Sequence, residues 1–249
     1  MAHPLFSIIT VTYNAAETIE RTVASVLEQT FDDYEHLIID GASKDNTLAL
    51  IEAMPDPHRS ILSEPDRGLY DAMNKGLSIA QGKYVIFLNS GDRFHSPEVL
   101  EMISERALSE PTPGVIYGQT DIVDTEGHYI GPRHLRAPEN LTLKSFAEGM
   151  VVCHQAFVAL RRITGRFNPG FRFSADYLWC IHCLQHSRHN AYVDATLIDY
   201  LRDGLSTANR RRSLYERFRI MCRYYGVIPT MVRHLRFIPR FIKNRRRGV

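Results

Sequence analysis

The sequence predicts an α/β fold on a mixed, mainly parallel sheet, followed by a basic helical extension. Three observations carry this. Apolar runs alternate with helical stripes through the first half, turn residues punctuate each switch, and polar side chains gather where the strands end. With 249 residues, 44% hydrophobic and 23% charged, the chain has ordinary globular composition and enough length for a self-sufficient core. A mainly disordered or fibrous protein is excluded.

Residues 5–11 (Leu-Phe-Ser-Ile-Ile-Thr-Val) read as a buried strand that Tyr13-Asn14 breaks. Ile19, Val23, Val26 and Leu27 then recur at helical spacing. Residues 35–40 (Glu-His-Leu-Ile-Ile-Asp) form the next strand, and the chain turns at Gly41-Ala42-Ser43-Lys44-Asp45. Asp45 or Asn46 can cap a helix carrying Leu48, Ile51 and Met54. Residues 60–63 make a short strand. Leu69, Met73, Leu77 and Ala80 mark a third helix, stopped by Gly82. Residues 83–88 are the fourth strand, ending in Asn89-Ser90-Gly91-Asp92. Parallel βαβ units bind ligands at the carboxyl ends of their strands. Tyr13-Asn14, Asp40, Glu64-Pro65-Asp66 and the 89–92 segment all fall there.

The second half is less regular. Residues 115–123 look like a strand interrupted at Gly118, residues 127–138 like turn and loop, and residues 151–160 like a strand. Residues 175–186 read as a helix with Leu178, Ile181 and Leu184 inward, and 192–200 as a strand. Cys180-x-x-Cys183, with His182 and His186 nearby, lies on that one helix with no second ligand pair, so buried cysteines are expected rather than zinc or a redox pair. The four cysteines are expected as reduced thiols of a cytoplasmic protein. No apolar run approaches the roughly 20 residues of a spanning helix, and no signal peptide is expected.

The net charge of +2 conceals an asymmetry. Residues 210–247 hold 13 Lys/Arg against the single acid Glu216, leaving 17 basic and 27 acidic residues before them. Leu214, Phe218, Met221 and Tyr225 make an apolar stripe. After Pro229, Met231, Val232, Leu235, Phe237, Ile238, Phe241 and Ile242 interleave with Arg233, Arg236, Arg240 and Lys243, and Arg245-Arg246-Arg247 follows. Such a segment suits an anionic membrane interface, which is favoured over a helix packed on the body with solvated arginines. Nucleic acid is not expected, because the body is acidic and no nucleic-acid-binding motif appears.

Five pieces, in order, resemble a family-2 glycosyltransferase of the GT-A fold. They are Ser-Ile-Ile-Thr-Val-Thr-Tyr-Asn (7–14), Ser-Val-Leu-Glu-Gln-Thr (25–30), Ile-Ile-Asp-Gly-Ala-Ser-Lys-Asp-Asn-Thr (38–47), Glu-Pro-Asp-Arg-Gly-Leu-Tyr-Asp-Ala-Met-Asn-Lys-Gly (64–76) and Gly-Lys-Tyr-Val-Ile-Phe-Leu-Asn-Ser-Gly-Asp (82–92). The Asn-Ser-Gly-Asp variant is similar to enzymes that build bacterial exopolysaccharide. The resemblance implies a GT-A domain over 1–208, with a nucleotide-binding half (1–95) and an acceptor-binding half (96–208), and a tail over 209–249. It implies transfer of a sugar from a nucleoside-diphosphate sugar, UDP by preference, to a lipid-linked oligosaccharide, with inversion, at the inner face of the membrane.

The implied site follows residue by residue. Thr12, Tyr13 and Asn14 would hold the base, Asp40 the base or ribose, and Asp66 and Arg67 the base and diphosphate. Asp92 would hold Mg²⁺ or Mn²⁺, offsetting charge on the leaving oxygen. The family usually has Asp-x-Asp here; Asn89 leaves one carboxylate, and its amide would reach the ribose or a metal-bound water. Asp176, in Ser-Ala-Asp-Tyr, would be the general base, with Asp199 and Asp203 as weaker rivals. His154 and Gln155 resemble a His-Gln segment lining the donor-sugar and acceptor pocket, although a satisfied core histidine fits His154 equally. Arg202 and Ser206 resemble a loop over the diphosphate, or an ordinary turn. Two rival functions are a sugar nucleotidyltransferase, for which Thr12-Tyr13-Asn14-Ala15 lacks a Gly-rich phosphate loop, and a non-catalytic nucleotide- or glycan-binding protein.

Overall fold

The computed structural model describes residues 3–202 and 209–235. Strand β1 (Phe6–Thr12) is buried along its whole length, as a run rich in Ile, Val and Phe requires. It lies between β2 (Tyr34–Asp40) and β4 (Tyr84–Phe87), parallel to both, and β3 (Arg59–Ser63) extends the parallel set beyond β2. Helices α1 (Ile19–Leu27), α2 (Thr47–Glu52) and α3 (Leu69–Ile79) make the crossovers. The register aligns Thr12 with Asp40 and Asp40 with Ser63, so three strands end level with one another.

The second half turns the sheet mixed. It adds β5 (Arg93–Phe94), β6 (Val115–Val123), β7 (Tyr129–Pro132), β8 (Phe157–Leu160) and β9 (Asn190–Leu201), giving nine strands in the order β3-β2-β1-β4-β8-β6-β9-β5 with β7 on β6. Strand β8 sits antiparallel between β4 and β6, while β9 runs parallel to β6. The strand expected at 115–123 is continuous, and its register against β9 shifts across Gly118 and again after Gln119. Residues 127–138, expected as turn and loop, contain β7, which begins after the left-handed Gly127 at φ 86°. Residues 151–160, expected as one strand, provide only β8, because a 3-10 turn over His154–Ala156 interrupts the extended chain.

Alternate side chains of β1 serve two cores. Ile9 and Val11 pack in one core with Met73 of α3 and Trp179 of α5 (Ala175–His186). Phe6 and Ile8 pack in the other with Val99, Leu100 and Ile103 of α4 (Val99–Ala107). Cys180 and Cys183 are buried in the first core. Helix α6 (Arg210–Tyr225) contributes Ile220 and Met221 to that same core, and the Tyr225 hydroxyl donates to the Leu143 carbonyl at 2.8 Å. Leu214, on the expected apolar stripe, is exposed. Residues 227–235 are also helical, and the tail residues from Arg236 onward lie outside the described residues.

His36 of β2 is fully buried, bonded to Thr10 Oγ1 at 3.0 Å and facing Asp56 at 3.8 Å. Burial holds its pKa below the ordinary value of 6.5, outweighing the pull of Asp56. Its neutral form is therefore favoured by folding, and that stability is full above 6.5 and lost as pH falls below it. Urea unfolding should show stability falling from pH 7 to 5 by up to about 1.4 kcal/mol per pH unit from this group. A His36→Gln variant should lose that part of the slope; an unchanged slope would remove His36 as its source.

Candidate active site

The strand ends assemble two adjoining groups of side chains. At the ends of β1, β2 and β3, Asp40 is fully buried and accepts bonds from Ser43 N at 3.0 Å, Ser43 Oγ at 2.5 Å and Ser63 Oγ at 2.7 Å. Those three bonds fill three of the roughly four acceptor positions of a carboxylate. Asn14, left-handed at φ 47°, takes a hydrogen bond from Lys44 N on its Oδ1, and its own N–H donates to Ser43 Oγ, both at 2.8 Å. The first turn is thereby locked to the second. Thr12 Oγ1 is buried without a hydrogen-bond partner, whereas the Tyr13 ring is 59% exposed. Asp66 accepts from Gly68 N at 2.7 Å, and Arg67 is exposed. Gly41 lies between these loops: a Cβ there would sit 2.6 Å from Asp66 Oδ2 and 3.2 Å from the Tyr13 ring.

Beyond the end of β4, a chain of polar contacts links residues distant in sequence. Asn89 Nδ2 donates to His154 Nε2 at 3.2 Å, which leaves the imidazole proton on Nδ1. That nitrogen faces Asp176 Oδ2 at 3.5 Å. Asp176 Oδ1 accepts from the Tyr70 hydroxyl at 3.1 Å and from Tyr177 N at 2.8 Å. Asp176 stands in the first turn of α5, where the helix dipole favours a negative charge. Burial keeps His154 below the usual histidine pKa, although Asp176 pulls the other way. Burial and then the Asp176 carboxylate push the Tyr70 phenol far up, so it remains a donor.

Asp92 is 4% exposed. Its Oδ1 accepts from Leu201 N at 2.9 Å and its Oδ2 from Gln155 Nε2, which is itself oriented by the Cys153 thiol donating to Gln155 Oε1 at 2.7 Å. Burial raises the Asp92 pKa to about 7, against the opposing Leu201 N–H, Gln155 amide and Arg21 charge. Nearby, Asn89 Oδ1 is buried and unpartnered. Asp92 keeps two lone pairs and Asn89 one free oxygen. These hard donors fit Mg²⁺ or Mn²⁺ in kind, with a single charge among them. Another group of possible ligands among the described residues, Asp124, Glu126 and His128, sits on the β6–β7 turn with ligand atoms within 4.8 Å of one another.

The remaining expected residues stand apart from the Asp176 chain. Asp199 is held by Arg93 and His95, each at 2.7 Å, so its carboxylate is already paired. Arg202 is exposed, its N–H donating to Val123 O at 2.9 Å. Asp203 and Ser206 lie outside the described residues. Three residues at the site were not singled out by the sequence. Tyr70 lies one position off the apolar stripe of α3 and is nevertheless buried. Arg133, whose Nη1 donates to the Leu135 and Met150 carbonyls, lies where its charge acts on His154; its surroundings read only as loop. Arg217 of α6 acts on Tyr70, and its Nε is buried without a partner.

A family model described as Glycosyl transferase family 2 matches residues 7–164. An uncharacterized glycosyltransferase of Mycobacterium tuberculosis is 34% identical over 178 residues, covering 70% of this chain and 66% of that protein. This chain thus spans about two thirds of that relative's length. The crystal structure of Staphylococcus aureus TarS 1-349 in complex with UDP-GlcNAc superposes with a TM-score of 0.71 at 19% identity, over 93% of this chain and 73% of that one. A mannosyltransferase from Pyrobaculum calidifontis, in complex with GDP-Man and Mn²⁺, superposes with a TM-score of 0.68 at 17% identity, over 94% and 71% of the two chains.

Proposed function

The chain belongs to glycosyltransferase family 2 and has the GT-A fold, and we propose on that premise that it moves a sugar from a nucleoside-diphosphate sugar to a lipid-linked oligosaccharide, inverting the anomeric carbon. The observation that carries this reading is the Tyr70–Asp176–His154–Asn89 chain, which holds a carboxylate at a helix start beside the end of β4. In this reading Asp176 takes the proton of the acceptor hydroxyl as its oxygen bonds to C1. The bond from C1 to the diphosphate breaks on the opposite face, and the nucleoside diphosphate leaves. Tyr70 donates a hydrogen bond to one oxygen of the carboxylate and the His154 imidazole faces the other at 3.5 Å, and together they aim it.

Thr12, Tyr13, Asn14, Asp66 and Arg67 would line the nucleotide, Tyr13 stacking on the base and Arg67 meeting the diphosphate. Asp40 would offer its remaining acceptor position to base or ribose, and His154 and Gln155 would border the donor sugar. Arg202 and Ser206 would close over the diphosphate. The structural neighbours hold a UDP-sugar and a GDP-sugar, which supports this class of donor; UDP is the one proposed here. Asp92, with Asn89 alongside, would hold the divalent cation, which when bound neutralises charge on the leaving diphosphate. The acceptor would be met at the cytoplasmic face of an anionic membrane through the basic tail, in cell-surface polysaccharide synthesis.

Calorimetry with UDP, GDP and dTDP, with and without Mn²⁺, tests the donor site. One nucleotide should bind, and more tightly with the cation; failure of all three would refute the reading. Gly41→Ala should weaken that binding about tenfold, roughly 1.4 kcal/mol, because the new methyl displaces Asp66 and Tyr13. The Asp66 side chain can swing away, so the thermal midpoint should stay near wild type. Unchanged affinity would move the nucleotide away from this cradle.

A further inference from the structure

The helical segment 227–235 is turned outside-in. Val227, Ile228, Met231, Val232 and Leu235 are exposed, Ile228 by 76% and Leu235 by 62%. Its polar side chains face the body instead. Thr230 is fully buried, Arg233 donates to Glu148 at 3.1 Å, and His234 meets the Phe218 ring edge-on at 5.1 Å. A helix bathed in water has the opposite arrangement. Beside it, α6 exposes Leu214 and Tyr215 together with Arg211, Arg212, Arg219 and Arg223. Arg211, Arg212, Tyr215, Glu216 and Arg219 line an open cleft of about 350 Å³. Glu216 does not neutralise it fully, because both its oxygens are turned to the body, accepting from Arg172 N at 2.9 Å and Phe173 N at 2.8 Å. The sequence continues over residues 236–249 with six Lys/Arg and no acid. Among the described residues no helix is long and apolar enough to cross a membrane.

We propose that this face docks on an anionic phospholipid bilayer, with the exposed side of 227–235 entering the boundary between headgroups and acyl chains and the arginine cleft of α6 receiving lipid phosphates. The inference deepens the membrane reading given above and rests on it. Apolar residues projecting beside a rim of arginines match a surface that is apolar below and negative above. A second copy of this chain would bring two arginine rims together, like charge against like. The sequence pattern alone leaves open which side of the tail faces outward; the inversion at 227–235 decides it.

The test is co-sedimentation of the full chain with vesicles of equal parts phosphatidylglycerol and phosphatidylcholine, and with phosphatidylcholine alone. Wild type should partition to the anionic vesicles and far less to the neutral ones. The double variant Ile228→Ser, Val232→Ser should lower that partition about tenfold or more, since two branched side chains no longer leave water. Arg211→Glu with Arg212→Glu should lower it by a similar factor and weaken its salt dependence. All four positions are exposed, so thermal midpoints should match wild type. If the serine pair partitions like wild type, the docking face is wrong while the basic tail still explains membrane binding. If wild type binds neither vesicle, both readings fall. A dimer in gel filtration that the serine pair dissociates, without vesicle binding, would assign the face to a second copy and overturn the proposal.

Discussion

Asp176→Asn is expected to lower kcat by about 10²- to 10⁴-fold, the range typical for loss of a general base, while leaving UDP affinity and thermal midpoint near wild type. The amide keeps an oxygen for the Tyr70 hydroxyl and the Tyr177 N–H, so the first turn of α5 retains its bonds. What changes is proton affinity on the face turned to His154. There the new NH₂ meets an imidazole nitrogen that already carries a proton, because Asn89 donates to the other one. Steady-state kinetics with a UDP-sugar, alongside calorimetry with UDP, separates the two quantities. Near-wild-type kcat in this variant would dismiss Asp176 as the base, whereas UDP binding without any turnover by wild type would reopen the non-catalytic reading. Asp199 makes the control. Its carboxylate is 3% exposed and paired with Arg93 and His95, so Asp199→Asn should lower stability before it touches chemistry. Tyr70→Phe is the graded case: one donor to Asp176 disappears, and kcat should fall by less than in Asp176→Asn.

The legible parts of the fold are those where local pattern and tertiary environment agree. The run at β1 is buried at every position because both its faces are covered, and the helix expected over 175–186 is the helix observed. The second half was harder to read for a physical reason. Whether an apolar run pairs parallel or antiparallel is decided by its neighbours, so nothing within Phe157–Leu160 announces that it sits reversed between β4 and β6. Residues 151–153 carry the same apolar character, yet the chain coils at His154 and Gln155 so that two polar side chains meet Asn89 and Asp92. A strand period there would have pointed them to opposite faces. Strand β7 has exposed or half-exposed side chains throughout, which removes the alternation by which strands are recognised. Within the candidate site, residues in turn motifs after β1 to β4 could be picked out, because polar side chains at strand ends break an apolar pattern. Tyr70, Arg133 and Arg217 could not. Each reaches the site from an element whose docking is tertiary, and an arginine in a basic tail looks like solvated charge until its Nε is found buried.

Asp92→Ala should remove the effect of Mn²⁺ on UDP binding and also lower stability by about 1–3 kcal/mol. The Leu201 N–H and the Gln155 amide would each lose a buried acceptor. Those two consequences need separating, and Asp92→Asn does so, since it fills the same space without the charge. Metal-assisted binding should be lost in both variants, but Asn should fold more stably than Ala. The pH dependence gives an independent check. The folded-state pKa of Asp92 is raised to about 7, whereas the unfolded chain ionises near 3.9. The protonated carboxyl is thus favoured by folding. Its contribution is full below about 3.9 and is lost as pH rises through about 7. Without added cation, wild type should therefore lose stability relative to Asp92→Asn between pH 5 and 7, by up to about 1.4 kcal/mol per pH unit. Adding Mn²⁺ to UDP-saturated protein at pH 7 should stabilise wild type further and leave UDP-saturated Asp92→Asn where it was, because only the carboxylate gains from a nearby cation. Equal Mn²⁺ stabilisation of both proteins would separate Asp92 from the metal. Its burial against Gln155 and Leu201 would then stand as a structural clamp that fastens the end of β9 to the turn after β4.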